Sequence, residues 1–325
     1  MKPRRREPEE SVIRITARRP HLVVIGDLLV DIMATVGSAG LERGSDVPGT
    51  VRFRAGGSAA NTSRTFAGLG GRATLVCSVG VDPWGRLLVR SLRGAAVVVR
   101  AVRSEAPTGR LVAIVEGDGE RTFVTDRGAA DGLRPDDVEE RWFRGVDALH
   151  VPGYSIFSEP LASASLRAAG MARSAGAFVS VDLSSRGPLR QMGRARAREA
   201  VAALGVTVLF GNREEFEVLV GDRPEDLLDI VPIVVVKDGA VGCRVLARPA
   251  RRSGPFIDLS VPTRAIRDVD TTGAGDAFDA GFLLALLVAD GIPRSTRGRL
   301  RAAAQAGHRA ARAALTGPRP ELAGR

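Results

Sequence analysis

The sequence predicts an α/β protein with a doubly wound, mostly parallel sheet that is flanked by helices, and with a small β-sheet that forms a lid. Two observations predict this class. Short apolar runs alternate with helical patterns along most of the 325 residues, which is typical of parallel strands covered on both faces. Two stretches with little helical pattern interrupt this alternation, and they predict the separate small sheet.

The elements of the core are predicted from hydrophobic periodicity. Apolar runs predict strands at residues 22–26, 73–79, 148–151, 177–182, 206–210 and 233–237. Helical patterns lie between them at residues 61–69, 160–174, 194–204 and 213–220. Residues 277–289 are apolar on nearly all sides, which predicts a buried helix. Strands that alternate with helices favour a single sheet with crossover connections.

The predicted organisation is one domain with two ends that lie outside it. Residues 21–317 form the domain, in which residues of about 33–55 and about 96–126 supply the lid. A glycine pair at positions 117 and 119 predicts a hairpin turn in the second lid segment. Residues 1–20 are predicted to be a disordered basic extension, and residues 318–325 a frayed tail.

Composition argues against several classes of protein. The net charge is +10, but Lys2 and Lys237 are the only lysines, the arginines are spread along the chain, and 4% of residues are aromatic. This balance does not indicate a nucleic-acid partner. No apolar run reaches the length of about 18 residues that a membrane helix needs. Cys77 and Cys243 are far apart, as expected of core thiols in a reducing compartment, so a cytoplasmic protein is predicted.

Residues 270–276, with the sequence DTTGAGD, give the strongest indication of chemistry. A Gly-x-Gly turn that leads into a helix exposes backbone N–H groups at the positive end of the helix dipole, which predicts a site for a phosphoryl group. Asp276 lies in the first turn of that helix. It is either a helix cap or a carboxylate that accepts a hydroxyl proton beside the anion. The dipole is expected to keep Asp276 ionised at neutral pH.

Other phosphate-binding motifs do not fit this sequence. The third glycine of a dinucleotide fingerprint is missing after Gly273 and Gly275. Neither lysine has the Gly-Lys-Ser/Thr context of a Walker A loop. The motif set of protein kinases is absent as well.

Residues 270–281 resemble the C-terminal motif of the ribokinase-like (PfkB) family, and residues 55–61, with the sequence AGGSAAN, resemble its N-terminal glycine motif. The order of elements agrees with the family over residues 21–317. The resemblance implies ATP and Mg²⁺ as cofactors, and transfer of the ATP γ-phosphoryl group to a primary hydroxyl of a small sugar or sugar acid. Asp276 would be the general base. The anion hole would be formed by the backbone of Gly273, Ala274 and Gly275.

The resemblance also implies residues that bind the sugar. Asp31 matches the family's sugar-binding aspartate, and a carboxylate can accept hydrogen bonds from two vicinal hydroxyls. Gly56 and Gly57 would let the sugar approach the backbone. Asn61 would contact a further hydroxyl, although a helix cap is an alternative interpretation. Asp27 would contact substrate or solvate its turn.

Three more side chains follow predicted strands, at the edge where ligands bind in sheets of this kind. These candidates for substrate contact are Arg127, Tyr154 and Arg186. A surface position is the alternative interpretation of both arginines in a chain this rich in arginine.

The family's nucleotide motifs match two segments. Asn212 and Glu215 resemble an Asn-x-x-Glu motif whose glutamate orders water around Mg²⁺, but the same pattern is a capping box at the start of a helix. Lys237, Gly239 and Gly242 resemble the family's nucleotide loop, with the glycines under ATP and the lysine near its phosphates.

Three further residues are carried over from the resemblance. Asp270 and the Thr272 carbonyl match positions that hold a monovalent cation, usually K⁺, in many members, and the alternative for Asp270 is a turn carboxylate. His308 matches a position that often contacts adenine, although a lone histidine is often structural.

The sequence leaves the substrate open among ribose, fructose, 2-keto-3-deoxygluconate and similar acids. A nucleoside kinase of the same superfamily and a catalytically silent sugar-sensing protein are the alternatives. The small number of aromatic residues in the predicted lid disfavours a pocket that stacks a base. The alternating lid strands are compatible with a homodimer formed through the lid.

Overall fold

The structure is a computed structural model, and it describes residues 18–37, 40–116, 121–248, 255–266, 270–288 and 296–322. The predictions for residues 1–17, for the turn at 117–119 and for residues 323–325 lie outside these ranges. Within the described ranges, no helix combines the length and the apolar character needed to cross a membrane.

The large sheet runs through the centre of the molecule. Its strands are β1 (His21–Ile25), β4 (Arg72–Gly80), β5 (Val97–Ser104), β8 (Ala148–Pro152), β9 (Phe178–Asp182), β10 (Val206–Asn212), β11 (Ile233–Asp238), β12 (Gly242–Ala247) and β13 (Ile257–Pro262). Among the described residues these nine strands are ordered β13-β12-β11-β10-β9-β8-β1-β4-β5. Pairing is parallel from β5 to β11, and β12 and β13 complete the other edge in antiparallel pairs.

Helices cover both faces of the large sheet. They are α1 (Ser58–Gly68), α2 (Pro83–Gly94), α3 (Tyr154–Phe157), α4 (Leu161–Ser174), α5 (Arg186–Met192), α6 (Arg194–Leu204), α7 (Arg213–Val220), α8 (Ala274–Val288) and α9 (Arg297–Thr316). Short 3₁₀ helices span Gly128–Gly132, Pro135–Asp137, Glu140–Phe143 and Pro224–Asp229. The six predicted strands and the predicted helices all correspond to observed elements.

Two hydrophobic cores, one on each face of the sheet, explain why the central strands are apolar at most positions. In β1, Leu22 and Val24 belong to the core that includes side chains of α1, α2, α8 and α9. Val23 and Ile25 belong to the core on the opposite face, which includes side chains of α4, α6 and α7. All four side chains are fully buried. The predicted class, a mostly parallel sheet covered on both faces, is therefore confirmed.

A second sheet forms the lid. Its strands are β2 (Leu29–Val36), β3 (Gly49–Gly56), β6 (Arg110–Val115) and β7 (Arg121–Asp126), and in the described chain their order is β3-β2-β6-β7. The strands β2 and β6 are parallel, and each pairs with its other neighbour in antiparallel fashion. We call this four-stranded sheet the lid.

The lid begins later in the chain than the predicted segment of about 96–126. Residues Val97–Ser104 form β5, which pairs with β4 at the edge of the large sheet. Val97 and Val99 are buried, whereas Val98 is 48% exposed. An edge strand covered on one face alternates in the same way as a lid strand, so periodicity did not separate the two.

The predicted frayed tail also requires correction for residues 318–322, which lie against the lid. The Ala55 N–H donates to the Pro320 carbonyl at 3.0 Å, and the Leu322 N–H donates to the Phe53 carbonyl at 2.8 Å. The Leu322 side chain is 7% exposed. These backbone hydrogen bonds and the burial of Leu322 attach the segment to β3, although its prolines exclude a helix.

The strand order reverses at β1, which lies between β4 and β8. Ligands bind in such sheets at the carboxyl ends of the strands beside this reversal. Asp27 follows β1 and Gly153 follows β8, so both lie at the expected edge. The lid strand β2 begins two residues after Asp27, which places the lid beside the same edge.

Candidate active site

A cleft of about 930 Å³ is lined by residues of the large sheet, the lid and the start of α8. The predicted site residues at its wall include Asp27, Asp31, Gly57, Asn61, Arg127, Tyr154 and Asp276. The fold therefore brings together residues that are up to about 250 positions apart in the chain.

The loop before α8 has the geometry of an anion site. Gly273 has φ of +76°, a left-handed conformation that favours glycine. The Ala277 N–H donates to the Gly273 carbonyl at 3.0 Å and begins the helical pattern. In the anion hole predicted from Gly273, Ala274 and Gly275, the Ala274 N–H already donates to the Thr271 carbonyl at 3.1 Å. The N–H groups of Gly275 and of the adjacent Asp276 lie in the first turn of the helix, where backbone donors lack intrahelical acceptors. This first turn is suited to bind a phosphoryl group.

Asp276 lies in that first turn and is 9% exposed. Burial raises the pKa of its carboxyl to about 7, while the hydrogen bond from Asn61 lowers the pKa and the charge of Asp182 raises it. The sequence predicted that the helix dipole keeps Asp276 ionised at neutral pH, whereas a pKa of about 7 corresponds to partial ionisation there, because desolvation opposes the dipole. A carboxyl with a pKa near 7 is suited to general base catalysis.

Asn61 positions the carboxylate of Asp276. Its Nδ2 donates to Asp276 Oδ2 at 3.0 Å, and its Oδ1 accepts from Arg64 Nη1 at 3.2 Å. Asn61 lies inside α1, four residues after its N-cap Gly57, so the alternative interpretation as a helix cap does not hold. The contact with Asp276 was not predicted from the sequence.

Asp27 is a buried carboxylate with two partners. Its Oδ1 accepts from the Ala59 N–H at 3.0 Å in the first turn of α1, and its Oδ2 lies 3.5 Å from Arg127 Nη1. Arg127 also pairs with Asp131 through a 2.5 Å contact. The side chain of Asp27 is 3% exposed. Asp27 therefore holds α1 and Arg127 at the cleft, whichever of the two predicted roles it has.

Asp31 projects from β2 into the same cleft. Burial raises the pKa of its carboxyl to about 7, the charge of Asp27 raises it as well, and the guanidinium groups of Arg54 and Arg64 lower it. Because two arginines lie nearby, the ionised form of Asp31, which accepts hydrogen bonds from hydroxyls, costs less than it would for an isolated buried carboxyl.

The glycine motif packs against these two aspartates. A Cβ on Gly56 would lie 2.0 Å from Asp31 Oδ2, and a Cβ on Gly57 would lie 2.6 Å from the Asp27 carbonyl oxygen. Gly57 also has φ of +99°. The sequence predicted that these glycines let the sugar approach the backbone. The observed geometry adds that they make room for Asp27 and Asp31.

The structure places Arg127 and Tyr154 at the cleft but not Arg186. The guanidinium of Arg127 lies 5.1 Å from the centre of the Tyr154 ring, which is a cation–π distance. Arg186 donates instead to Glu214 at 2.7 Å, and both side chains are more than half exposed. Arg186 is not among the residues that line the cleft, so the alternative surface interpretation fits it.

Lys237 lies directly behind the anion site. Its Nζ donates to Asp182 Oδ1 at 2.9 Å and to both carboxylate oxygens of Asp279 at 3.3 Å. A Cβ on Gly275 would lie 3.3 Å from this ammonium group. Burial alone would lower the pKa of Lys237, but the carboxylates of Asp182 and Asp279 raise it well above its usual value. Lys237 therefore stays charged and adds positive potential behind the loop.

Replacing Lys237 by methionine is expected to lower the free energy of unfolding by about 3–5 kcal/mol, because it leaves two buried carboxylates without their cation. Chemical denaturation at pH 7 measures this effect. The double variant Lys237→Met with Asp279→Asn should recover part of the loss. A decrease in the free energy of unfolding below about 1 kcal/mol, as expected for an exposed ion pair, would contradict the stabilising role of this buried network.

The Asn-x-x-Glu motif forms a capping box at the start of α7. Asn212 Oδ1 accepts from the Glu215 N–H at 2.9 Å, and Glu215 accepts from the Asn212 N–H at 2.8 Å and from Asn212 Nδ2 at 3.0 Å. Burial, followed by the charge of Asp182, raises the pKa of Glu215 to about 7. Each carboxylate oxygen accepts one hydrogen bond, which leaves further lone pairs that could accept from a metal-bound water.

The nucleotide loop and His308 lie at the far edge of the sheet. Gly239 and Gly242 have φ of +50° and +130° and shape the turn between β11 and β12. A Cβ on Gly242 would lie 2.2 Å from the Val261 carbonyl oxygen. His308 Nε2 lies 3.1 Å from that same oxygen and 3.6 Å from Cys243 Sγ. His308 thus joins α9 to the β12–β13 hairpin, as the structural interpretation predicts.

The predicted cation position contains an arginine. Asp270 Oδ1 accepts from the Thr272 N–H at 3.0 Å, and Asp270 Oδ2 accepts from Arg54 at 2.8 Å. Arg319 Nη1 donates to the Thr272 carbonyl at 2.9 Å, and its Nη2 donates to the Asp270 carbonyl. This role of Arg319 was not predicted, since the residue lies in the segment predicted to be frayed.

A buried carboxylate beside a helix N-terminus, in a cleft between an α/β core and a lid, is an arrangement suited to phosphoryl transfer. The chain matches the family model described as "pfkB family carbohydrate kinase" over residues 19–321. The protein therefore belongs to the pfkB family, and it is a carbohydrate kinase.

The proteins that this chain resembles are named as kinases of sugars and of a nucleoside. The chain is 31% identical to a probable fructokinase-4 of Arabidopsis thaliana, over 86% of each chain. It matches the structure of an adenosine kinase from Sinorhizobium meliloti with a TM-score of 0.77 and 27% identity, over 93% of this chain and 96% of that one. A double mutant of the fructokinase from Vibrio cholerae O395, bound to fructose, ADP and potassium ion, matches with a TM-score of 0.74 and 25% identity, over 93% and 94% of the chains. These relatives support an ATP-dependent sugar kinase.

Proposed function

We propose that the protein transfers the γ-phosphoryl group of ATP to a primary hydroxyl of a small sugar or sugar acid, of the ribose, fructose or 2-keto-3-deoxygluconate type. One observation carries this proposal. The carboxylate of Asp276, with a pKa of about 7, lies in the first turn of α8 and faces a cleft that also contains Asp31. A proton acceptor, an anion site and a polyol-binding carboxylate thus meet in one place.

The sugar would be held by the carboxylates at the carboxyl end of β1 and in β2. Asp31 would accept hydrogen bonds from two hydroxyls, since a carboxylate has lone pairs for both. Asp27 and Arg127, which already contact each other, would orient the hydroxyls beside them. This arrangement would leave the reacting CH₂OH group pointing towards Asp276.

The transfer would proceed in line between two oxygen atoms. Asp276 takes the proton of the sugar hydroxyl, and the hydroxyl oxygen forms the new bond to the γ-phosphorus. At the same time the bond between the γ-phosphorus and the bridging oxygen breaks, and that oxygen leaves with ADP. The N–H groups of Gly275 and Asp276 and the start of α8 stabilise the charge on the transferred group. Product release then returns the proton of Asp276 to solvent.

A divalent cation bound with the nucleotide would neutralise phosphate charge. In the part of the chain that the structure describes, no group of three His, Cys, Asp or Glu side chains is arranged to hold a metal ion. Such an ion would therefore be held mainly by the phosphates and water, with Glu215 as a partner of that water. This arrangement is typical of Mg²⁺, which keeps several water ligands.

Replacing Asn61 by leucine is expected to shift the acidic limb of the profile of kcat/KM against pH to higher pH. The hydrogen bond from Asn61 lowers the pKa of Asp276, so its loss raises that pKa, and less of the base is ionised at neutral pH. Activity should recover as pH rises, which a purely structural defect would not show. A profile identical to that of the wild type would contradict the positioning role.

A nucleoside is the second candidate substrate, and the lining of the cleft favours it. Phe123 from the lid, Tyr154 and Phe157 contribute aromatic side chains to the cleft, which supplies the stacking surface that the sequence did not suggest. Its volume of about 930 Å³ exceeds the needs of a single sugar ring and lies near the top of the usual range of roughly 300–1,000 Å³. The similarity to an adenosine kinase also supports a nucleoside substrate.

The test is ADP release from ATP and Mg²⁺ with a panel of sugars, keto-deoxy acids and nucleosides. We expect one class to give rapid release that Asp276→Asn abolishes. A response to nucleosides alone would select the second candidate. Silence across the panel, together with thermal stabilisation by a sugar, would contradict the kinase proposal and favour a sugar-sensing protein.

A further inference from the structure

The position at which the family places a monovalent cation is filled by the side chain of Arg319. Its two terminal nitrogens donate to the carbonyl oxygens of Thr272 and Asp270. These are backbone oxygens of the kind that K⁺ would need as ligands, and the guanidinium lies against both of them. The residues present therefore do not fit a bound monovalent cation.

We propose that the guanidinium of Arg319 is the built-in cation of the anion hole, and that this protein works without a monovalent cation. The inference rests on the proposed function, because it assigns a charge to the same anion site. The guanidinium is part of the polypeptide, so this charge does not depend on which cation the solution contains.

The charged side chains around Arg319 disfavour the binding of a further cation. The Asp270 carboxylate is 2.8 Å from Arg54 and 3.9 Å from Arg319, so two guanidinium groups already share it. A cavity of about 160 Å³ beside this position is lined by Arg54, Arg64 and Arg319, among other residues. A further cation would be repelled by these side chains, and their partial burial limits screening by salt.

The position of Arg319 is fixed by backbone hydrogen bonds and by burial of the segment around it. The Glu321 N–H donates to the Arg319 carbonyl at 2.8 Å, and the next residue, Pro320, accepts from Ala55 in β3 at 3.0 Å. Leu322 is 7% exposed and anchors the end of the segment. The guanidinium is thus positioned before any substrate binds, and a preorganised charge acts on a developing anion without a reorganisation cost.

The effect on the reaction would pass through the peptide groups of the loop. A guanidinium on the Thr272 carbonyl polarises the peptide that connects Thr272 to Gly273. It also adds positive potential at the start of α8, where the transferred phosphoryl group would lie. Arg319 is therefore a positioning and electrostatic residue and is not expected to touch the substrate.

The test compares potassium chloride with tetramethylammonium chloride at equal ionic strength. For the wild type we expect kcat to agree within about twofold between the two salts, and the Tm without substrate to show no K⁺-specific increase. For Arg319→Ala we expect kcat to fall by about tenfold or more in tetramethylammonium, with partial restoration by K⁺ and a new K⁺-specific increase in Tm. Arg52→Ala is the matched control, since Arg52 forms an exposed pair with Glu321 on the same segment.

A wild type that K⁺ activates severalfold, or whose Tm rises specifically in K⁺, would overturn the inference. So would an Arg319→Ala variant that folds, keeps its activity and gains no response to K⁺. If Arg319→Ala does not fold, the wild-type comparison still decides the question. If the protein phosphorylates nothing in the panel, the proposed function fails, and the Tm comparison still tests the cation site by itself.

Discussion

Replacing Asp276 by asparagine is expected to reduce kcat by about 10²–10⁴-fold while the affinity for the sugar changes little. The asparagine has the size of the aspartate and can still accept the hydrogen bond that Asn61 now donates to Asp276. It cannot accept the hydroxyl proton. The measurement is kcat from ADP release, together with the Kd of the sugar from ligand-induced thermal stabilisation.

The pH dependence of the stability of Asp276→Asn distinguishes the loss of the base from a folding defect. Burial raises the pKa of Asp276 to about 7. A carboxyl whose folded pKa exceeds its unfolded value stabilises the protein while it is protonated, and that contribution is lost as pH rises from about 4 through about 7. The asparagine variant carries no such loss, so at pH 8 it should be at least as stable as the wild type. Loss of both binding and turnover in Asp276→Asn would contradict the assignment as base.

The second large effect is expected for Asp31→Ala, which should lower kcat/KM by about 10²–10⁴-fold, chiefly through KM. Two hydrogen bonds to an ionised carboxylate contribute about 1.5–3 kcal/mol each. The Asp31 side chain faces the cleft and packs on Gly56, so truncation also opens space where the sugar would lie. Initial rates at varied sugar concentration separate KM from kcat.

Asp46→Ala is the matched control for this variant, because Asp46 is an exposed carboxylate in the segment between two lid strands. It should retain the wild-type KM. An Asp31→Ala variant whose KM stays within about threefold of the wild type would contradict the role of Asp31 in holding the sugar.

Most of the large sheet could be predicted because six of its nine described strands carry their own local signal. Strands covered on both faces are apolar at most positions, and the helices between them are amphipathic or wholly apolar. The lid was harder to define. The edge strand β5 alternates in the same way as the lid strands, so only the pairing with β4 assigns it to the large sheet.

The anion loop was predictable because its residues are contiguous, whereas the contacts around it were not. Asn61 and Asp276 are 215 positions apart, and nothing local in the sequence indicates that they touch. The sequence also contains an indication at Asp279 that was not used. A second aspartate on a helix predicted to be buried on nearly all sides favours a nearby cation, and Lys237 is one of only two lysines.

Arg319 shows a further limit of reasoning from the sequence. The segment that contains Pro318 and Pro320 was predicted from the sequence to be a frayed tail. The same prolines favour an extended backbone, which here pairs with β3 and carries the guanidinium to the loop before α8. Such a role depends on tertiary contacts and leaves no periodic pattern in the chain.

The most direct test of the central claim is the ³¹P NMR spectrum of the product formed from ATP and the substrate that the panel identifies. Transfer to a primary hydroxyl predicts one new phosphomonoester signal that is split by the two protons of a CH₂ group, in an amount equal to the ADP formed. Inorganic phosphate alone would indicate ATP hydrolysis, and a signal coupled to a single CH proton would place the phosphate on a secondary or anomeric hydroxyl. Either result would contradict the account of Asp276 as the base that activates a primary hydroxyl.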